Sequence, residues 1–132
     1  MTKSSLPSPE IHEHRSIVWH ESSCIPKVRF AVRRLSLGQR IELTRRVREL
    51  TGKNEFLRAG SEADQLQAAL SDLMMRQLFI EWGLAQIDGL HIDGREATTE
   101  VLIAKGPEDL AQEIAGAVSG ELSLSEQETK NS

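Results

Sequence analysis

Three histidines and a cysteine lie near the N-terminus, and these are residue types that bind zinc. They are His12, His14, His20 and Cys24, and imidazole nitrogens and thiolates are common zinc ligands. Their spacing matches no common zinc-binding pattern. Nothing around Cys24 indicates the lowered thiol pKa that a nucleophilic pair with His20 would need. We therefore predict neither a metal site nor thiol catalysis.

No familiar catalytic motif is present elsewhere in the sequence. It contains no G-x-S-x-G, no H-E-x-x-H, no P-loop and no dinucleotide-binding fingerprint. Asp88 and Asp93 each precede a glycine, which is typical of tight turns, whereas the alternating ligands and closing glutamate of a calcium loop are missing. We expect a protein that is not an enzyme, uses no cofactor and acts by binding another protein.

The composition fits one small domain with an uneven distribution of charge. The chain has 132 residues, of which 39% are hydrophobic, and a net charge of -4. Residues 27–58 contain ten basic and three acidic residues, a net of +7, while residues 59–132 contain four basic and fourteen acidic residues, a net of -10. The basic stretch keeps nucleic-acid binding open as an alternative, although the acidic half would repel phosphates.

Cysteine content and hydrophobicity indicate the cellular setting. With Cys24 as the sole cysteine, an intramolecular disulfide is impossible, which favours a reducing cytoplasm. No stretch reaches the roughly 18 apolar residues of a membrane span, and residues 1–15 lack the apolar core of a signal peptide. We expect a cytoplasmic protein that makes no contact with a membrane.

The N-terminal part is predicted to be a flexible arm followed by a β-hairpin. Residues 1–15 are polar and rich in serine and proline, so they have too few apolar groups to fold. Residues 17–19 form a short apolar run, and residues 28–33 alternate between apolar and other side chains, which is the period of a half-buried strand.

Two helices are predicted from their start signals. Ser36 with Gln39, and Ser61 with Asp64, have the spacing of a capping box. The predicted helices extend over about 37–50 and 62–86. In the first helix Arg40 and Arg48 fall within the apolar arc. They either extend buried stems towards water or form ion pairs with an acidic partner, and we assign both as candidate partner-binding residues.

The second helix carries two apolar stripes. The stripe that we predict as its core face consists of Leu66, Ala69, Leu70, Leu73, Gln77, Ile80, Leu84 and Ile87. The other stripe consists of Met75, Leu78, Phe79 and Trp82. A helix with two apolar sides either lies between other elements, which a small monomer favours, or presents one side to a partner. We take the second stripe as the candidate partner-binding site.

The C-terminal part is predicted to contain two further helices and a tail. Thr98 can cap one helix, and Pro107 suits the first turn of the next. That last helix would bury Leu110, Ile114 and Val118, and residues 119–132 read as a polar tail. The predicted fold is mainly α with a short N-terminal β-hairpin (α+β), in a single domain over 16–118 with flexible termini.

Five strings of the sequence carry a resemblance to a known family: VRFAVRRLSLGQRIEL at 28–43, EWGL at 81–84, IDGLHIDGREAT at 87–98, GPEDLAQEI at 106–114 and LSEQETKN at 124–131. With these strings the sequence, from about Ser16 onwards, resembles the tail assembly chaperones of long-tailed bacteriophages and prophages.

The resemblance implies a helical chaperone with no catalytic residues. It would bind the tape measure protein, help to recruit tail tube subunits in the host cytoplasm, and be absent from the mature virion. Self-association is also compatible with the bipolar charge. The alternatives are a small nucleic-acid-binding regulatory protein and a scaffold or adaptor of another phage complex.

Overall fold

The computed structural model describes residues 10–52 and 57–131, with side chains as far as residue 122. In chain order its elements are β1 (Ile17–Glu21), β2 (Arg29–Arg33), α1 (Leu37–Thr51), α2 (Glu62–Gly83), β3 (Leu84–Asp88), β4 (His91–Ile92), β5 (Arg95–Glu96), α3 (Thr99–Lys105) and α4 (Glu108–Asn131). The chain is 56% helical with a small antiparallel sheet near the N-terminus, in a single small domain. The predicted fold class is confirmed. Residues 1–9 of the predicted arm lie outside the described part.

The predicted hairpin forms two strands of a three-stranded antiparallel sheet. β1 pairs with β2 so that Ile17 lies opposite Arg33, and β1 is an edge strand of the order β1-β2-β3. On β1 the ring of Trp19 is covered by the guanidinium of Arg29, which lies 4.5 Å from the ring centroid. β2 is the central strand, and its residues 30–32 are all buried.

The third strand of the sheet was predicted to be helix, and that prediction is wrong. α2 ends at Gly83, and Leu84 is already extended, with φ -82° and ψ 120°. A Cβ at Gly83 would overlap the side chain of Val118 on α4, so the helices meet closely at this point. The segment at 84–88 then pairs with β2. Its apolar residues fit the helical stripe equally well, which is why periodicity did not separate strand from helix.

The predicted helix starts are confirmed. Ser36 accepts a hydrogen bond from the backbone of Gln39 at 3.2 Å, and the Gln39 side chain accepts one from the backbone of Ser36 at 3.0 Å. Ser61 and Asp64 form the same reciprocal pair, and Thr98 caps α3. These bonds satisfy backbone donors that have no partner inside the helix.

The core lies between the sheet and the helices. Its largest fully buried side chains are Phe30, Val32, Leu43, Leu84, Leu102, Leu110, Ile114 and Val118. α4 packs against both α2 and β2, and its three predicted core residues are all at 0% exposure.

The predicted core face of α2 is wrong over the first half of the helix. Leu66, Leu70 and Leu73 are 72%, 48% and 50% exposed. The core is instead contacted by the opposite side, where Ala68 and Phe79 are buried. Both sides are apolar, so the rotation of the helix is decided by its contacts with α1 and α4 rather than by its own pattern.

α4 does not end where the predicted tail begins. It continues through residue 119 to Asn131.

In the part of the chain that the structure describes, no helix has the combination of length and apolar character that crossing a bilayer requires.

One carboxylate on α4 anchors the β1–β2 loop. Glu113 accepts hydrogen bonds from the Ser22 hydroxyl at 2.7 Å, the Ser23 backbone N–H at 2.7 Å and the Ser23 hydroxyl at 2.9 Å. The Ser22 hydroxyl in turn accepts from the backbone of Cys24 and Ile25. Partial burial alone would raise the pKa of Glu113, but these hydrogen bonds outweigh it and hold the pKa below its ordinary value of 4.5.

We predict that Glu113→Gln lowers the free energy of unfolding by about 1 to 2 kcal/mol near neutral pH, because the loop loses a charged acceptor. A lowered carboxyl pKa stabilises the fold above the ordinary value, and this contribution disappears as the pH falls through the lowered one. Urea unfolding should therefore show a difference near pH 7 that shrinks in acid. The exposed Glu96→Gln is the control. A difference that grows below pH 4.5 would contradict this reading of the loop.

Candidate functional site

The second stripe of α2, predicted to bind a partner, lies mostly against the core. Phe79 is only 8% exposed and belongs to the core cluster, while Met75, Leu78 and Trp82 are half-buried and pack against it. The structure brings these residues together, as their spacing requires. In this fold, however, the ring of Phe79 is already covered, so a partner could reach it only if the core opened.

The two predicted arginines differ in their surroundings. Arg40 is half-buried and Arg48 is exposed. Neither side chain has an ion-pair or hydrogen-bond partner among the described residues. The arginine of α1 that does reach the second stripe is Arg46, whose guanidinium lies 5.6 Å from the centroid of the Trp82 ring.

The exposed apolar residues of α2 form a continuous row. Leu66, Leu70 and Leu73, here called the α2 seam, are separated by four and then three residues, which places them along one side of the helix. This is also the spacing of a coiled-coil seam. Met74, 46% exposed, flanks the row. An exposed apolar row of this kind is a candidate contact surface for another helix.

Two grooves run beside the α2 seam. The first lies between α1 and α2 and is lined by Glu42, Arg46, Glu49, Leu50, Met74, Gln77, Leu78 and Glu81. The second separates α2 from α3 and the start of α4, where Leu73, Ile80, Leu102 and Ile103 contribute apolar walls. A helix placed on the seam could therefore insert side chains on either side of it.

The first groove has an acidic rim. Glu42 is neutralised within α1 by Arg45 at 2.7 Å and by Arg46 at 3.1 Å. Glu49 and Glu81 are exposed, and no arginine or lysine within 10–52 or 57–131 forms an ion pair with either. The groove therefore combines an apolar floor with uncompensated negative charge.

Most arginines of the basic stretch form ion pairs or hydrogen bonds with other residues of the same chain. The contacts are Arg29 with Asp88, the Arg33 side chain with the carbonyl of Leu84, Arg45 and Arg46 with Glu42, and Arg58 with Asp72. The ion pairs among these contacts neutralise part of the positive charge that the sequence concentrates at 27–58. They weaken the case for a phosphate-binding surface, which needs several free cations on one side.

The histidine and cysteine side chains do not converge. His12 and His14 are exposed in the N-terminal segment, while His20 stacks on Phe30 with the ring centroids 5.4 Å apart. Desolvation and the carboxylate of Glu113 raise the pKa of the Cys24 thiol, opposite to the shift that activates a nucleophile. Among the described residues no three His, Cys, Asp or Glu side chains are grouped so that they could hold a metal ion.

The surfaces that sequence reasoning missed are the α2 seam, which it assigned to the core, and the acidic rim at Glu49 and Glu81. The seam had a detectable signal, because its spacing of four and three residues is also that of a helix-helix contact. Comparison with family models, with curated proteins and with solved structures finds no match to this chain.

We predict that Phe79→Ala and Leu70→Ser affect stability very differently. Removing the buried ring should cost about 3 to 5 kcal/mol, because it leaves a cavity in the core. Replacing the half-exposed leucine should change the free energy of unfolding by about 0.5 kcal/mol or less. Urea unfolding monitored by circular dichroism measures both. Similar losses for the two variants would mean that the two sides of α2 are equally buried.

Proposed function

We propose that this protein binds a helical segment of another protein along the α2 seam and thereby acts as an assembly chaperone. The observation that carries the proposal is the exposure of three leucines at helix-pairing spacing on a helix whose other side is already packed. Apolar side chains in such a row gain free energy when a partner helix removes them from water.

The size of the gain suits transient binding. Full burial of a leucine contributes about 1.5 to 3 kcal/mol, and Leu66, Leu70 and Leu73 are 72%, 48% and 50% exposed. The seam therefore offers about 3 to 5 kcal/mol in total, from which association entropy must be subtracted. Client side chains entering the second groove, between α2 and α3, would supply the remainder. A contact of this strength can hold a client and later release it.

The client that the sequence resemblance suggests is the tape measure protein of a long-tailed phage. In this proposal the protein covers apolar helices of that client in the host cytoplasm, helps to bring tail tube subunits to it, and leaves before the virion is complete. The binding surface is the α2 seam rather than Phe79 and its neighbours. The resembling strings lie in β2, α1, the end of α2, the β3–β5 region and α4, and they do not include the α2 seam.

We predict that Leu66→Asp/Leu70→Asp weakens client binding by roughly 30- to 1000-fold. The double variant loses two apolar contacts, and binding would have to remove two carboxylates from water. Calorimetric titration with a helical fragment of the tape measure protein measures the affinity, and co-expression measures how much client stays in solution.

The matched control is Ile11→Asp/Ile17→Asp, which introduces the same charges at exposed isoleucines outside the seam. Both double variants should keep the wild-type helical content. If they bind the client equally well, the seam is not the binding surface. If neither they nor the wild type bind any tape measure fragment, the chaperone proposal itself fails.

A further inference from the structure

One side of α1, separate from the α2 seam, is both apolar and basic. Leu37 and Ile41 are 70% and 53% exposed, and Arg48 is exposed without an ion-pair partner in the described chain. At 100° per residue these three side chains fall within an arc of about 40°. We call Leu37, Ile41 and Arg48 the α1 basic face. Its apolar part has no covering element among the described residues.

The groove between α1 and α2 has the complementary character. Its floor contains Leu50, Met74 and Leu78, and its rim carries the uncompensated carboxylates of Glu49 and Glu81. Glu81 accepts a hydrogen bond from the Gln77 side chain at 3.4 Å, but neither carboxylate has a cationic partner among the described residues. An occupant must therefore present apolar side chains together with at least one free cation, since a carboxylate without an ion pair would otherwise lose hydration that no opposite charge replaces.

We propose that the occupant is a second copy of this chain, which inserts its α1 basic face into the groove. Ile41 and Leu37 of one copy would cover the apolar floor of the other, and Arg48 would pair with the carboxylates on the rim. Both members of this interaction are present on one molecule, which makes the surface self-complementary.

The contact is reciprocal about a twofold axis. The groove-wall residues Glu42, Arg46 and Glu49 lie about 100° to 160° around α1 from the centre of the basic face. In the proposed dimer the twofold axis runs parallel to α1 along the surface between the two, so that both contacts form together. Such an isologous arrangement closes as a dimer and does not propagate into a fibre. The seam residues Leu66, Leu70 and Leu73 do not line this groove, so the dimer leaves them available.

The ionic part of the contact gives the dimer a defined response to salt. Exposed charge pairs are screened as ionic strength rises, whereas the apolar part is not. Sedimentation equilibrium of the full chain should therefore show a reversible monomer-dimer equilibrium that shifts towards monomer at high salt. A chain that stays monomeric at every concentration in low salt would overturn the proposal.

A charge-exchange experiment tests the pairing directly. Arg48→Glu alone, or Glu81→Arg alone, should weaken the dimer roughly tenfold to a hundredfold, because each homodimer then contains two like-charged pairs. An equimolar mixture of the two variants should recover most of the wild-type association, since both pairs between positions 48 and 81 in the mixed dimer again have opposite charges. Failure of the mixture to recover would overturn the reciprocal pairing.

The controls distinguish this surface from others. Arg95→Glu and Glu100→Arg reverse exposed charges away from α1 and should leave the dimer unchanged, and Ile41→Ser should weaken it without any change of charge. Loss of the dimer in Leu66→Asp/Leu70→Asp, together with wild-type association of Arg48→Glu, would place self-association on the α2 seam and reject the proposal. Client binding by Arg48→Glu should persist, which separates this test from that of the proposed function.

Discussion

The close contact between α2 and α4 at Gly83 determines which surfaces the molecule presents. A side chain at this position would overlap Val118, so the approach depends on glycine. The chain then passes directly into β3, whose register with β2 is set by the sheet. The C-terminal end of α2 is thus held by a helix contact and by a strand at the same time. Because this contact fixes the rotation of α2, Phe79 faces the core and the seam leucines face outward.

Local signals in the sequence were sufficient for much of the fold. The capping boxes at Ser36 and Ser61 place the starts of α1 and α2, because these hydrogen bonds involve residues only three positions apart. The alternation at 28–33 likewise identifies β2. What local signals could not supply was the rotation of α2, since both of its sides are apolar and the choice depends on Val118, which is 35 residues beyond Gly83.

The charge distribution of the candidate site was also only partly predictable from the sequence. The sequence reveals a net of +7 at 27–58, and the spacing of Glu42 from Arg45 and Arg46 predicts the local ion pairs that form. It does not reveal that the side chain of Arg33 donates a hydrogen bond to the carbonyl of Leu84. Arg48 was identified as a candidate from its position in the apolar arc of α1. We propose Glu49 and Glu81 as its partners, and these residues belong to different helices. That both line one groove is known only from the packing of α1 against α2.

The edge strand β1 has a consequence for the chaperone function that we propose. An unpaired strand edge can template the addition of further strands and so nucleate amyloid-like stacking. Here the edge is five residues long, and its largest side chain, Trp19, lies beneath the cation of Arg29. So short an edge disfavours growth by strand addition. Under the proposed function, a client held by helix pairing along the α2 seam would not be added to this strand edge, so binding it would not seed aggregation.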